Sequence, residues 1–239
     1  MLLAAGRSTR LRPLTDHCPK CLLDLGGETI LGRALRQLRA RGVRKLTLVD
    51  GFEGDRIRAA VAAGSPDLDV TWIRNVDYAT TNNAFSLRLA LAAHPAEEIL
   101  LLDSDIACED AVLDAVLDYA APNRLGLRTR GDIGAEEMKV GLDGSGRVIR
   151  LSKEIPPAEA AGESVGLEVF APDFVAALRT VLDRRLDNEG RVNEYYEEAF
   201  TELAVAGHVI APIDLGHLRC LEIDTPADLA AARREFGGP

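Results

Sequence analysis

In the first half of the chain, short apolar runs alternate with stretches whose apolar residues recur at helical spacing. That alternation is the pattern of βαβ units feeding a mostly parallel sheet. Residues 2–5 read as a short buried strand, and a polar loop follows from Gly6 to Pro19. Leu31, Leu35 and Leu38 share one face of a helix that Gly42 ends, and residues 45–49 form the next strand. A weaker helix over 55–63 leads to a strand at 70–73. Asn82 or Asn83 caps a helix in which Ser86, Leu87, Ala90 and Leu91 recur. Residues 99–102 are a continuous apolar strand that runs into Asp103-Ser104-Asp105.

Beyond Pro122 the rhythm changes. Runs at 125–129, 138–142, 148–151 and 165–170 are separated by Gly and charged turns rather than by helices, which predicts an antiparallel insertion or lid. Helices over 172–186 and 192–206 precede strands near 209–213 and 220–223. Thr225-Pro226 opens the last helix with a capping Thr and a Pro in its first turn. No repeat, low-complexity tract or linker interrupts the chain. The expectation is one domain over 1–239 of the α/β class, with a mostly parallel, Rossmann-like central sheet, helices on both faces and a small antiparallel β insertion or lid.

Composition narrows the class. Hydrophobic residues at 47% and charged residues at 28% exclude a disordered or collagen-like chain. No apolar run approaches the ~20 residues that cross a bilayer, and no charged leader with a cleavage site precedes the first strand. The reading is a cytoplasmic protein without a membrane partner. A net charge of −10 argues against a nucleic-acid partner. The charge is uneven, however, because residues 1–45 hold 10 Lys and Arg against 3 Asp and Glu, which predicts a local anion site. Cys18, Cys21, Cys108 and Cys220 are too few and scattered for a disulfide framework. The Cys18-Pro-Lys-Cys21 spacing has no second half of a zinc site.

The first loop carries the most chemistry. Ligands of open parallel sheets bind beyond the carboxyl ends of the strands, where Gly6-Arg7-Ser8-Thr9-Arg10 must sit. Small residues admit close backbone approach, and Arg10 and Lys20 supply charge for a polyphosphate. The spacing fits neither a dinucleotide fingerprint nor a P-loop. A solvated loop with surface arginines is the alternative. Asp103-x-Asp105 closes a buried strand with hard oxygen donors that suit Mg²⁺, although such pairs also cap turns.

Leu3-Ala4-Ala5-Gly6 with Ser8-Thr9-Arg10 and Pro19-Lys20 resembles the signature of nucleotidyltransferases that couple an NTP to a phosphorylated small molecule. The first strand starts at Met1, where that family has several residues before it. By position, the resemblance implies that Ala4, Ala5 and Gly6 touch the nucleoside, with Arg7, Ser8 and Thr9 in the same loop. It places Arg10 on the β,γ-phosphates and Lys20 on the α-phosphate. Glu222-Ile223-Asp224-Thr225-Pro226 resembles the segment that completes the family's metal site, which implies Asp105 and Asp224 as Mg²⁺ ligands and Asp103 behind them. Residues 1–121 or so would then bind the NTP, and the remainder the acceptor.

Asn75-x-x-Tyr78-x-x-x-Asn82-Asn83-x-x-Ser86 resembles the subgroup that transfers cytidylyl groups to phosphocholine and related phosphonates. Its plainer reading is an Asn-capped helix with Ser86 facing the core. Residues 146–154 are similar to the segment that puts a Lys on the acceptor phosphate, which nominates Lys153 over Arg128, Arg130 and Lys139. The implied activity is a Mg²⁺-dependent transfer from CTP to a phosphorylated acceptor, phosphocholine favoured or aminoethylphosphonate. The alternative is a sugar-1-phosphate nucleotidyltransferase using UTP, dTTP or GTP.

A quaternary ammonium requires aromatic faces and carboxylates. Glu194, Tyr195 and Tyr196, with Glu168 and with Tyr78 or Trp72 as a second wall, form the candidate cage. The competing reading is a helix with Tyr196 and Phe200 packed inward at i,i+4.

Overall fold

The computed structural model describes residues 1–94, 96–131 and 133–238. Alternation along the strands separates two apolar layers. In the first strand Leu3 faces a core shared with Leu87, Leu101, Phe170 and Phe174, while Leu2 and Ala4 face one shared with Leu31, Leu35, Leu48 and Leu113.

The first half of the chain builds β1 (Leu2–Ala4), α1 (Ile30–Ala40), β2 (Lys45–Asp50), α2 (Gly54–Gly64), β3 (Asp69–Arg74), α3 (Asn83–Ala93) and β4 (Ile99–Asp103). All four strands are parallel where they pair. Asn82 caps α3, its Oδ1 accepting from Asn83 N at 2.8 Å. Two elements follow that periodicity did not announce, β5 (Ile106–Cys108) and α4 (Asp110–Leu117). The second half then adds β6 (Arg124–Arg128), β7 (Lys139–Leu142), β8 (Val148–Ser152), β9 (Gly162–Phe170), α5 (Pro172–Asp183), α6 (Glu197–Val205), β10 (Ala211–Asp214), β11 (Cys220–Glu222) and α7 (Pro226–Phe236).

The main sheet runs β10-β6-β9-β4-β1-β2-β3. Only β9 opposes its neighbours on this path, pairing antiparallel with both β4 and β6. The antiparallel insertion is therefore continuous with the main sheet. Its β7–β8 hairpin pairs with the start of β9 at Gly162 and Glu163. β9 is buried on both faces for most of its length although it carries Glu163, Ser164 and Glu168. A second, two-stranded antiparallel sheet joins β5 to β11 and carries the end of the chain back to the end of β4.

The helix expected over 192–206 begins only at Glu197. The preceding turn is held by tertiary bonds, with Asn82 N donating to Val192 O at 2.9 Å and Tyr196 N to Asn83 Oδ1 at 2.9 Å. Those bonds hold the segment before Glu197 out of the helix. Among the described residues no helix is long and apolar enough to cross a membrane.

Phe170 stacks on Phe174 with centroids 4.4 Å apart, and Phe200 meets Phe170 edge-on at 4.8 Å. Phe200→Ala is expected to lower the unfolding free energy by about 3–5 kcal/mol in urea titrations. A loss under about 1 kcal/mol would mean that this cluster is loosely packed.

Candidate active site

The carboxyl ends of β1, β3 and β4 open on a cleft of about 330 Å³. Its walls come from the loop after β1, residues after β3 that lead into α3, the Asp103–Asp105 turn, the middle of β9, and Glu222 and Asp224. Such a crevice is where open α/β sheets bind ligands.

Lys20 anchors one end. At 9% exposure its Nζ lies 2.6 Å from Asp105 Oδ2 and 2.7 Å from Asp224 Oδ1. Burial pushes the ammonium toward the neutral form, but Asp105 and Asp224 outweigh it and hold the group charged. Arg10, in a single 3-10 turn over Thr9–Leu11, also pairs with Asp224 from the rim. Burial raises the Asp224 carboxyl, yet Lys20 and Arg10 more than offset this and keep it below the ordinary range.

Asp224 is held from behind by the start of α7. Thr225 and Asp228 form a reciprocal capping box, and Asp228 Oδ2 also accepts from Asp224 N at 3.1 Å. Glu222 joins the cluster, and carboxylate oxygens of Asp105, Glu222 and Asp224 all lie within 4.8 Å of one another. Surrounding protein, then the charges of Asp105 and Asp224, push Glu222 up, although its side chain keeps a solvent face. The set of hard oxygen donors suits a divalent cation of the Mg²⁺ type. One lysine and a rim arginine against three carboxylates leave such a cation electrostatically welcome.

Ala4, Ala5, Gly6 and Ser8 line the adjoining wall. Ser8 adopts the left-handed conformation at φ 48°, costly for a residue with a side chain, and its carbonyl accepts from Thr15 Oγ1 at 2.8 Å. A Cβ on Gly6 would meet no protein atom within 4 Å, so packing does not demand a glycine there. Asn75, Asn82, Asn83, Ser86 and Tyr78 line the same cleft. Asn75 is fully engaged, its Nδ2 donating to Thr81 Oγ1 and Ser86 Oγ at 3.1 Å each and its Oδ1 accepting from Asp77 N. The segment caps and packs α3 and also lines the cleft.

The far end holds Lys153, Tyr195, Met138, Ser164 and Glu197. Lys153 Nζ stands 5.0 Å from the Tyr195 ring centroid. The expected cage does not assemble. Tyr196, at 0% exposure, packs on Phe200 at 5.0 Å and donates to Asp103 Oδ2 at 2.9 Å. Glu194 is turned away by Arg185, whose Nε donates to it at 2.8 Å. Glu168 is fully buried in β9, opposite Leu101 and Leu125, with Ser164 Oγ donating at 3.4 Å, so it lies off the cleft surface. Tyr78 sits against Gly51 and Phe52, near Ala5 rather than Tyr195.

Other nominees also lie elsewhere. Arg7 is exposed over the Phe52 ring and Thr9 is exposed, and neither lines the cleft. Trp72 is covered by Arg58 at 4.9 Å in a separate groove. Lys139 is fully buried and staples the carbonyls of Gly134, Ala135 and Glu137. Arg128 pairs with buried Glu163, and Arg130 lines a different groove.

The sequence reading left out Glu222, Glu197 and Gly166. Glu222 stands two residues before Asp224, the spacing that Asp103 and Asp105 also show. Gly166, at φ +65°, lets β9 approach Asp103, since a Cβ there would lie 2.9 Å from Asp103 Oδ2. Burial and the carboxylates of Asp105, Glu168 and Glu197 push Asp103 well up.

Residues 1–134 match the MobA-like NTP transferase domain. The CMP-5'-(3-aminopropyl)phosphonate synthase of Streptomyces rubellomurinus is 29% identical over 256 residues, covering all of this chain, which spans 39% of that protein's length. The 2-aminoethylphosphonate cytidylyltransferase of Lancefieldella rimae is 27% identical over 242 residues, 97% of this chain and 90% of the relative. The solved CTP:phosphocholine cytidylyltransferase of Streptococcus pneumoniae superposes with a TM-score of 0.78 at 17% identity, over 98% of this chain and 97% of the other, a likeness of fold.

If the acid cluster binds a dication, Mn²⁺ titration followed by electron paramagnetic resonance is expected to reveal a site that Mg²⁺ competes for. Asp224→Asn is expected to weaken it by about tenfold or more. Unchanged Mn²⁺ affinity in that variant would place any metal site elsewhere.

Proposed function

The chain belongs to the MobA-like NTP transferase domain family and is a nucleotidyltransferase, and from that premise we propose that it is a Mg²⁺-dependent cytidylyltransferase. Its acceptor is a small phosphate or phosphonate bearing a cationic amine, a class that includes phosphocholine and aminoalkylphosphonates, and pyrophosphate is released. The observation that carries this reading is one cleft with Lys20 between Asp105 and Asp224 at one end and Lys153, Tyr195 and Glu197 at the other. Relatives named for CMP-phosphonate synthesis support the cytidine and phosphonate parts.

In this reading the backbone of Ala4, Ala5 and Gly6 and the side chains of Asn82, Asn83 and Ser86 hold the nucleoside. Asn75 acts through Ser86. The bare Cα of Gly6 leaves room for the nucleotide that no protein atom occupies. Lys153 takes the acceptor's phosphate or phosphonate.

An oxygen of that group attacks the α-phosphorus of CTP, the new P–O bond forms in line, and the bond to the β-phosphate oxygen breaks. A phosphomonoester has its second pKa near 6, so the nucleophile is already anionic and needs no general base. Lys20 neutralises charge on the α-phosphate as the transition state forms, and Arg10 faces the departing pyrophosphate. Asp105, Glu222 and Asp224 would hold Mg²⁺, whose charge polarises the phosphoryl oxygens and offsets the repulsion between triphosphate and carboxylates.

A pyrophosphate-release screen of four NTPs against aminoethylphosphonate, phosphocholine and sugar 1-phosphates tests the reading. Turnover is expected with CTP and at least one of the two amine-bearing acceptors. Turnover confined to UTP, dTTP or GTP with a sugar phosphate would replace the reading with sugar nucleotidyl transfer. Lys20→Ala is expected to lower kcat by about 100-fold or more while changing the CTP dissociation constant by less than about tenfold. An effect confined to CTP binding would reassign Lys20 to ground-state contact.

A further inference from the structure

Glu197 is the first residue of α6 and lines the cleft at its acceptor end, yet it is only 6% exposed. Its Oε2 has no hydrogen-bond partner, and among the described residues no cation lies within ion-pair distance of it. The Asn83 amide, whose oxygen accepts from Tyr196 N, stands beside the carboxyl but leaves Oε2 free. Lys153 attracts and Glu198 repels this carboxyl. Behind the wall a second buried carboxyl, Glu168, is itself pushed up by burial and by Glu197 and likewise has an unpartnered Oε2. A buried acceptor atom left unmade is costly, so the free Oε2 of Glu197, on the cleft wall, marks a place that a donor completes.

The aromatic surroundings do not complete it. Tyr196 is enclosed in the core, Lys153 stands over the Tyr195 ring, and Tyr78 belongs to the nucleotide side. A quaternary ammonium offers no N–H and relies on open ring faces. A primary ammonium offers three N–H donors and a positive charge.

We propose that Glu197 receives the primary ammonium of the acceptor and thereby selects aminoalkyl phosphonates or phosphates over both neutral and quaternary acceptors. This deepens the cytidylyltransferase reading and rests on it for the identity of the other substrate. Burial pushes the Glu197 carboxyl up to about 7, and an ammonium beside it favours the ionised form. Lys153, on the same side of the cleft, is left for the acceptor's anionic end, so the two charges of a short zwitterion meet opposite partners.

Calorimetric titration measures this without requiring turnover. The ligands are 2-aminoethylphosphonate, its N,N,N-trimethyl analogue and ethylphosphonate, each tested with Mg²⁺, with and without the α,β-methylene analogue of CTP. Wild-type protein is expected to bind the primary amine about tenfold or more tightly than either of the others, the scale of one charge-assisted hydrogen bond. In Glu197→Gln, which preserves size, that ratio is expected to fall to within about twofold. Glu197→Asp, which preserves charge, retains a preference.

A ratio unchanged in Glu197→Gln, equal binding of the trimethyl analogue by the wild type, or no ammonium-dependent binding under either condition overturns the proposal. Failure of the parent reading looks different. CTP would then not be turned over with any amine-bearing acceptor in the pyrophosphate screen, whatever another NTP does, while the calorimetric ratio still judges Glu197.

Discussion

Three carboxyl groups with oxygens within 4.8 Å of one another cannot all stay charged without a cation among them, and Lys20, with Arg10 on the rim, is the cation that the chain itself supplies. Like charges about 4 Å apart repel by roughly 4 kcal/mol at an effective dielectric near 20, a cost that the ammonium offsets. Lys20 follows the first loop, Asp105 ends the turn after β4, and Asp224 precedes the last helix. Three distant parts of the chain thus meet at one nitrogen. The β5–β11 sheet and the α7 capping box are the devices that bring Asp224 back and hold its backbone.

From that point the cleft is graded in charge. Near Lys20 and Arg10 the walls suit phosphates and, through the acid cluster, a dication. Along β9 and α6 the wall carries Ser164 and Glu197, and behind it lie Tyr196 bonded to Asp103 and the buried Glu168, with Glu168 and Glu197 each keeping an unpartnered oxygen. A substrate pair with one polyanionic and one zwitterionic member matches both ends. Gly166 makes the middle thin enough for β9 to reach Asp103.

The first half of the fold was legible because its period changes cleanly: Leu31, Leu35 and Leu38 repeat at helical spacing, while residues 45–49 and 99–102 are strand-like runs. Lys20, Asp105 and Asp224 were legible through motifs in order. The Glu194–Glu198 stretch was not, because a run of acids and tyrosines reads as helix from 192 onward. Bonds from Asn82 and Asn83, more than a hundred residues away, decide that the helix starts at Glu197. One consequence is that Glu197, not Glu194, meets the cleft, while Tyr196 and Phe200 pack inward as the competing reading expected. The place of Lys139, a competitor to Lys153, was illegible for a similar reason, since its three carbonyl partners lie in a turn whose shape local sequence does not announce.

The most direct test of the central claim, that the Lys20–Asp105–Asp224 cluster directs attack to the α-phosphorus of CTP, is ³¹P nuclear magnetic resonance of the reaction with 2-aminoethylphosphonate. A mixed CMP–phosphonate anhydride with coupled phosphorus signals, formed one-to-one with pyrophosphate and absent with Asp224→Asn, is the predicted result. Orthophosphate in place of pyrophosphate, or the same anhydride at an undiminished rate from Asp224→Asn, would contradict it.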